Sequence, residues 1–358
     1  MKSLSRYLIA EVVRNSLFVL AGLLGLFLFF DLIGELRDVG HGNYTFLKLL
    51  GYVLLLVPGH AYELMPIAVL IGGMMGISLL NQHSELTVMR VGGLSVTRLL
   101  GILSVAGLGF SLLTLAAGEF VAPRAERAAK QLQLAAKGQL VGQDYRSGVW
   151  MKDDGNFVNV REVLPDQTLR FVNVYQFDSS RHMSTYGHAQ RGVWQPEQSA
   201  WKLTDVTLTF FEAGQVRVQK LAEYQWRSVL TPNMLSVLMV LPEQMSVMTL
   251  VDYIEHLRHN QQKTNRFDIA LWTKLVYPFA CLAMLLIALP FAQTQRRGGG
   301  VGMKLFVGIM LGLGFYFVNK LVSQLGILYG WSPLLAAMLP SGLFLLLALF
   351  LLWRQERR

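Results

Sequence analysis

The sequence predicts an α-helical membrane protein with six transmembrane helices and a β-rich domain inserted between the third and the fourth. Layout is the first reason: three apolar spans, a polar block, then three more apolar spans. The second is the alternation of apolar and polar residues within that block, and the third is where the basic residues fall. Composition agrees, since 53% of the residues are hydrophobic and 15% are charged, the balance of a membrane protein.

The spans run from Ser16 to Ile33, Leu47 to Leu80, Leu99 to Phe120, Ile269 to Phe291, Leu305 to Val322 and Pro333 to Trp353. Stretches of ~20 apolar residues cross a ~30 Å hydrocarbon core as helices. The second is too long for one straight crossing and is interrupted by Pro58, Gly59, His60, Glu63 and Pro66. It reads as an upper helical piece ending near Pro58, then a kinked helix that crosses once and exits near Asn81.

Lys2, Arg6 and Arg14 precede span one, and Arg90 and Arg98 lie between spans two and three. Arg296, Arg297 and Lys304 separate spans four and five, and Arg354, Arg357 and Arg358 close the sequence. The alternate connections carry few cations: Leu325 to Trp331 has none, and Arg37 and Lys48 are offset by Asp31, Glu35 and Asp38. By the positive-inside rule both termini are cytoplasmic and the β block lies outside. The first span has a long apolar core, no A-x-A site, and Glu11 and Arg14 upstream. It reads as a retained helix, not a cleaved leader.

From roughly Leu140 to Val240, short alternating runs are bounded by turn formers. Gly148 to Val163 reads as a hairpin around Asp153-Asp154-Gly155-Asn156, and Leu169 to Phe177 as a strand closed by Asp178-Ser179-Ser180. Ala200 to Phe211 and Val216 to Gln225 pair across Glu212-Ala213-Gly214-Gln215. About six to ten such strands imply a sandwich or jelly roll, with Trp150, Trp194, Trp201 and Trp226 as core and edge cover. Ala122 to Gly138 and Thr249 to Gln261 read as helical linkers. The expected division is therefore 1–138 (helices one to three, with a cytoplasmic coupling segment at 81–98), 139–248 (the β domain) and 249–358 (a linker helix and helices four to six).

The net charge of +9 sits largely in the cytoplasmic loops and termini, where topology and anionic lipid explain it without nucleic acid. The single cysteine, Cys281, lies within span four, so no intrachain disulfide forms. No G-x-x-x-x-G-K-[ST], H-E-x-x-H, zinc-type Cys/His spacing or G-x-S-x-G occurs. His182 and His188 read as surface histidines. The expectation is a non-catalytic chain with no metal or cofactor of its own.

Asn81 to Arg98 (NQHSELTVMRVGGLSVTR) is the suggestive cytoplasmic segment. Ser84 is placed to cap a short helix, Glu85 sits in its first turn, and Gly92-Gly93 ends it. Leu86, Val88 and Met89 supply an apolar face. Such a helix either plugs into a separate motor, with Glu85 pairing an arginine there, or lies on the lipid surface.

Leu80 to Met89 followed by Gly92-Gly93 resembles the coupling-helix region of the lipopolysaccharide export permeases, the LptF/LptG family. Gly118 to Pro123 (GEFVAP), Leu271 to Lys274 (LWTK), the six spans and the inserted β domain are similar too. Within the family the LptG branch is nearer, from Arg6-Tyr7, Gly118 to Pro123 and the Trp272 region. The resemblance implies one subunit of an inner-membrane pair with an LptF-like permease, its β-jelly roll periplasmic. An LptB-like ATPase dimer would dock at Glu85, Leu86, Met89 and Arg90, using the ATP and magnesium that this chain does not bind. Lipopolysaccharide would be drawn into a cavity and passed towards an LptC-like bridge protein.

Leu26, Phe27, Phe30 and Ile33 of span one, with Ile309, Leu313 and Phe317 of span five, are suited to acyl chains or, alternatively, to plain lipid-facing surface. Arg37, Lys274 and Lys320, together with Arg124, Arg127 and Lys130, would meet lipid phosphates or snorkel to headgroups. The family tends to have several lysines at the outer end of span one; here stand Asp31, Arg37 and Asp38, so phosphate contacts fall to other helices or to bridging divalent cations. Two other functions stay open. A secondary transporter would use Asp31, Glu63 and Glu119, although no span repeat supports it. A mechanotransmitting anchor would need no apolar cavity.

Overall fold

A computed structural model describes residues 2–137, 148–153, 156–164, 168–178, 182–212, 215–228, 231–232, 241–293 and 301–356. The turn residues Asp154-Gly155, Ser179-Ser180 and Ala213-Gly214, the domain start at 139, and Arg296, Arg297, Arg357 and Arg358 lie outside them. The helices are α1 (Lys2–Leu36), α2 (Phe46–Gln82), α3 (Glu85–Val91), α4 (Val96–Ala116), α5 (Ala122–Lys137), α6 (Val247–His259), α7 (Asn265–Val276), α8 (Ala280–Gln293), α9 (Val301–Tyr329) and α10 (Pro333–Glu356). Six helical stretches among the described residues are long and apolar enough to cross a membrane.

The chain divides into two units. The first comprises Met1–Gly34, Val53–Ala125 and Asn265–Arg358. Its centre is α2, whose residues 64–74 are all buried. Where sequence reading placed a break near Pro58, α2 continues unbroken through Pro58 and Pro66. A membrane helix tolerates a proline because neighbouring groups take up the freed carbonyl. The fourth span does the reverse: α7 gives way to a 3₁₀ turn at Tyr277–Phe279 before α8 begins. Pro278 occupies the start of that turn, and the Tyr277 hydroxyl donates to the Glu63 carbonyl at 2.6 Å.

Small residues let these helices approach closely, the usual device where lipid offers no hydrophobic drive between them. A Cβ at Gly72 of α2 would overlap the Ser16 backbone of α1, one at Gly312 of α9 would lie 2.7 Å from Ile67, and one at Gly107 of α4 would lie 3.0 Å from Leu282. Phe315 meets Phe344 edge-on at 5.1 Å, tying α9 to α10.

The second unit comprises Glu35–Tyr52 and Glu126–Thr264. Its six strands, β1 (Val149–Asp153), β2 (Asn156–Val163), β3 (Leu169–Phe177), β4 (Met183–Gln195), β5 (Ala200–Glu212) and β6 (Gln215–Trp226), pair antiparallel in chain order. The inserted β domain is thus present, but its described strands form one meander where strand spacing suggested a sandwich or jelly-roll order. Each strand is joined to its neighbour by a short connection, so neighbours in sequence pair before any Greek-key crossing arises. One face buries Val158, Val160, Val172, Leu203, Val206 and Trp201 with Leu134 of α5. Trp201 and Trp226 are core residues as expected, while Trp150 is exposed and stacks on Tyr175 at 5.4 Å.

Candidate functional site

The short helix α3 is set by its two ends. After α2 the chain reverses at His83-Ser84, and Ser84 takes a left-handed φ of 59°. In that conformation its side chain makes no cap hydrogen bond, contrary to the expected cap, and its carbonyl accepts from the Val88 amide at 3.0 Å. At the other end Gly93, with φ +94°, permits the Leu94 amide to reach the Met89 carbonyl at 3.0 Å, a glycine-terminated stop.

Leu86 is buried and Met89 packs against the same core, so these two seat the helix. Val88, Arg90 and Val91 face out; Val88 and Val91 are 69% and 86% exposed, an apolar ridge that sequence reading had not resolved. Glu85 receives a 2.9 Å hydrogen bond from the Tyr7 hydroxyl of α1, a partner 78 positions away that no local pattern reveals.

Leu26, Phe27, Phe30 and Ile33 on α1, and Ile309, Leu313 and Phe317 on α9, are all exposed. Both helices flank α2: α1 through Gly72, α9 through Gly308 and Gly312. Towards the C-terminal ends of these helices, α2 sends one polar side chain to each. His60 Nε2 lies 2.6 Å from Asp31 Oδ2 of α1, and Glu63 Oε1 lies 3.9 Å from Lys320 Nζ of α9. The Phe27 ring stands 5.4 Å from that of His60. Ionisable side chains at membrane depth persist when paired in this way.

The six candidate phosphate contacts fare differently. Lys274 is buried, its ammonium 5.6 Å from the Tyr62 ring centroid, so it does not stand open at a cavity mouth. Lys320 shares Glu63, and in the second unit Arg127 donates to Thr249 at 3.0 Å and Lys130 to Gln133 at 3.0 Å. Arg37 and Arg124 are exposed. In the second unit Lys137 bridges Glu35 at 2.8 Å and Asp38 at 2.5 Å, and Glu35 also accepts from Gln133 at 2.7 Å. The Lys137 hydrogen bond and charge hold the Asp38 carboxyl below its usual range, whereas burial and Glu35 push the Tyr44 phenol up. Asp31 and Asp38 thus each have a cationic or imidazole partner within the chain.

Against one face of the sheet lies an apolar cavity of about 220 Å³, bordered by Val172, Leu203, Val206, Leu208, Phe210 and Trp226. Among the described residues no group of three metal-ligating side chains gathers.

Residues 6–354 match the family described as Lipopolysaccharide export system permease LptF/LptG. The chain is 32% identical to the lipopolysaccharide export system permease protein LptG of Escherichia coli K12, over 99% of this chain and 98% of that one. It is 27% identical to the LptG of Haemophilus influenzae, over 99% of both. With six apolar helices, an antiparallel sheet inserted between the third and fourth in sequence, and a match over residues 6–354, the chain belongs to the LptF/LptG family of lipopolysaccharide export permeases.

Proposed function

We propose that this chain is the LptG-type half of an inner-membrane permease pair, driven by a separate ATPase dimer that docks on α3. The observation that carries the reading is α3 itself: Leu86 and Met89 anchor it while Val88, Arg90 and Val91 stand exposed, beside a carboxylate, Glu85, oriented by Tyr7. An exposed apolar ridge next to oriented charge suits a protein partner. ATP and magnesium are used by that partner.

Lipopolysaccharide acyl chains lie against the exposed faces of α1 and α9, at Leu26, Phe27, Phe30, Ile33, Ile309, Leu313 and Phe317. Arg37, Arg124 and Lys320 are the phosphate contacts this reading favours; Lys274, Arg127 and Lys130 serve packing. Substrate then moves towards the apolar cavity of the sheet and an LptC-like bridge protein on the periplasmic side, both termini remaining cytoplasmic.

Reconstitution tests this. Proteoliposomes holding this chain, an LptF-like partner and the ATPase should release lipopolysaccharide only with ATP. Release driven by an ion gradient without ATP would instead support an ion-coupled transporter working through Asp31 and Glu63.

A further inference from the structure

α1 is attached to its unit unevenly. Its buried side chains are Leu8, Glu11, Val12, Asn15, Ser16 and Leu20, and none of residues 21–36 is buried. One close approach is at Ser16, whose backbone lies against Gly72 of α2 with no room for a Cβ. Past that point α1 continues helical to Leu36 with no internal proline, the commonest cause of a sharp kink. Each side of Ser16 carries one of the polar contacts already described: Tyr7 to Glu85 of α3 on one side, Asp31 to His60 of α2 on the other.

We propose that Tyr7 is the positioning residue that carries movement of α3 into α1. α1 then turns as a lever about Ser16 against Gly72, and the turn opens the Asp31–His60 contact. This inference rests on α3 being the docking helix. Tyr7 lies nine residues before Ser16 and Asp31 fifteen after it, arms of ~13 Å and ~22 Å at 1.5 Å per residue. Displacement at Tyr7 is therefore magnified about 1.7-fold at Asp31. Interface helices in switching proteins shift by about 1–2 Å. A ~1 Å shift of α3 would stretch the 2.6 Å Asp31–His60 contact beyond ~4 Å, outside hydrogen-bond range.

The hydrogen bond matters because it is directional, whereas the apolar contacts between these segments are not. Leu86, Met89, Leu4 and Leu8 share one cluster, and such burial is non-directional, so it allows sliding. The Tyr7–Glu85 bond fixes where α1 is pulled. At the far end Phe27, whose ring is 5.4 Å from His60, would move with Asp31. The apolar face of α1 would thereby separate from α2 in step with the motor.

The test uses the assembled complex with its ATPase in liposomes, in a Cys281→Ala background. Spin labels are placed at Ile33→Cys on α1 and Leu54→Cys on α2, both exposed. Between the nucleotide-free and vanadate-trapped states, the unaltered lever should change the label separation by about 2 Å. Tyr7→Phe, which removes the donor at an exposed position and keeps the Glu85 carboxylate, should abolish that change in complexes selected for a bound ATPase. Transport per ATP should fall about fivefold or more. His60→Leu should lengthen the separation before nucleotide is added. A full label shift in Tyr7→Phe overturns the lever. Failure of the ATPase to copurify with the unaltered complex is a separate result: it removes the docking reading and the lever's input with it.

Discussion

Replacing Gly72 by alanine probes the helix contact on which the first unit is built. The new Cβ would overlap the backbone nitrogen and Cα of Ser16 and lie 2.7 Å from its Oγ. Ordinary contact begins near 3.4 Å, so α1 must retreat from α2 by roughly 1 Å, enough to forfeit a quarter to a half of the dispersion well at each facing atom. Overpacking of this kind costs about 1–3 kcal/mol. Gly22→Ala is the control: its Cβ meets nothing within 4 Å, and alanine is favoured over glycine in a helix by about 1 kcal/mol. Thermal inactivation of the purified permease in detergent should place Gly72→Ala several degrees below the unaltered protein, with Gly22→Ala level or above. Ser16→Gly should not rescue Gly72→Ala, because the clash is mainly with backbone. Equal stability of the two alanine variants would refute the close packing of α1 on α2.

Glu85→Lys and Val91→Glu should each weaken copurification of the ATPase while leaving membrane insertion intact; normal export in both variants would remove α3 from coupling. Phe30→Asp, at an exposed site on α1, should impair lipopolysaccharide loading more than ATPase binding, and more than Leu345→Asp does; equal effects would mean the lipid face is misassigned. Single neutralisation of Arg37 or Lys320 should be tolerated, since one screened contact is worth about 1–2 kcal/mol. Losing both should lower lipopolysaccharide affinity, and normal binding by the double variant would end their role. Asp38 predicts a pH dependence: its carboxyl is held below the usual 3.8 by Lys137, so the stabilisation is present above about pH 4 and lost as pH falls through the lowered value. The protection factor of the Asn43 amide, which donates to the Ala136 carbonyl at 2.8 Å, should hold from about pH 7 to 5 and drop below about 4.

Much of the fold could be read from local pattern because hydrophobic length and alternation are local properties. The six spans and the strands β1, β2, β3, β5 and β6 belong to that class. β4 escaped because Gly187 and Gly192 interrupt its alternation, yet a Cβ at Gly192 would lie 2.9 Å from Leu203 and one at Gly187 3.2 Å from Leu208. The glycines lower strand propensity and are needed only once the neighbouring strand is in place. Proline misled in both directions, unbroken at Pro58 and breaking at Pro278, because surrounding helices decide whether a freed carbonyl is satisfied. On α3 the sequence groups Leu86, Val88 and Met89 on one apolar face; the contacts of Leu86 and Met89 with the core, not the seven-residue pattern, leave Val88 facing outward. The pairs Tyr7–Glu85, Asp31–His60 and Glu63–Lys320 join residues distant in sequence, so composition supplied the charges without their partners.

Site-specific photocrosslinking tests the central claim most directly, with a photoreactive residue placed singly at Phe30, Phe317 and Leu345 in the assembled complex. If lipopolysaccharide loads against α1 and α9, adducts should form at Phe30 and Phe317, diminish when ATP is hydrolysed, and be weak at Leu345. Adducts of equal strength at all three positions, unchanged by ATP, would contradict the account.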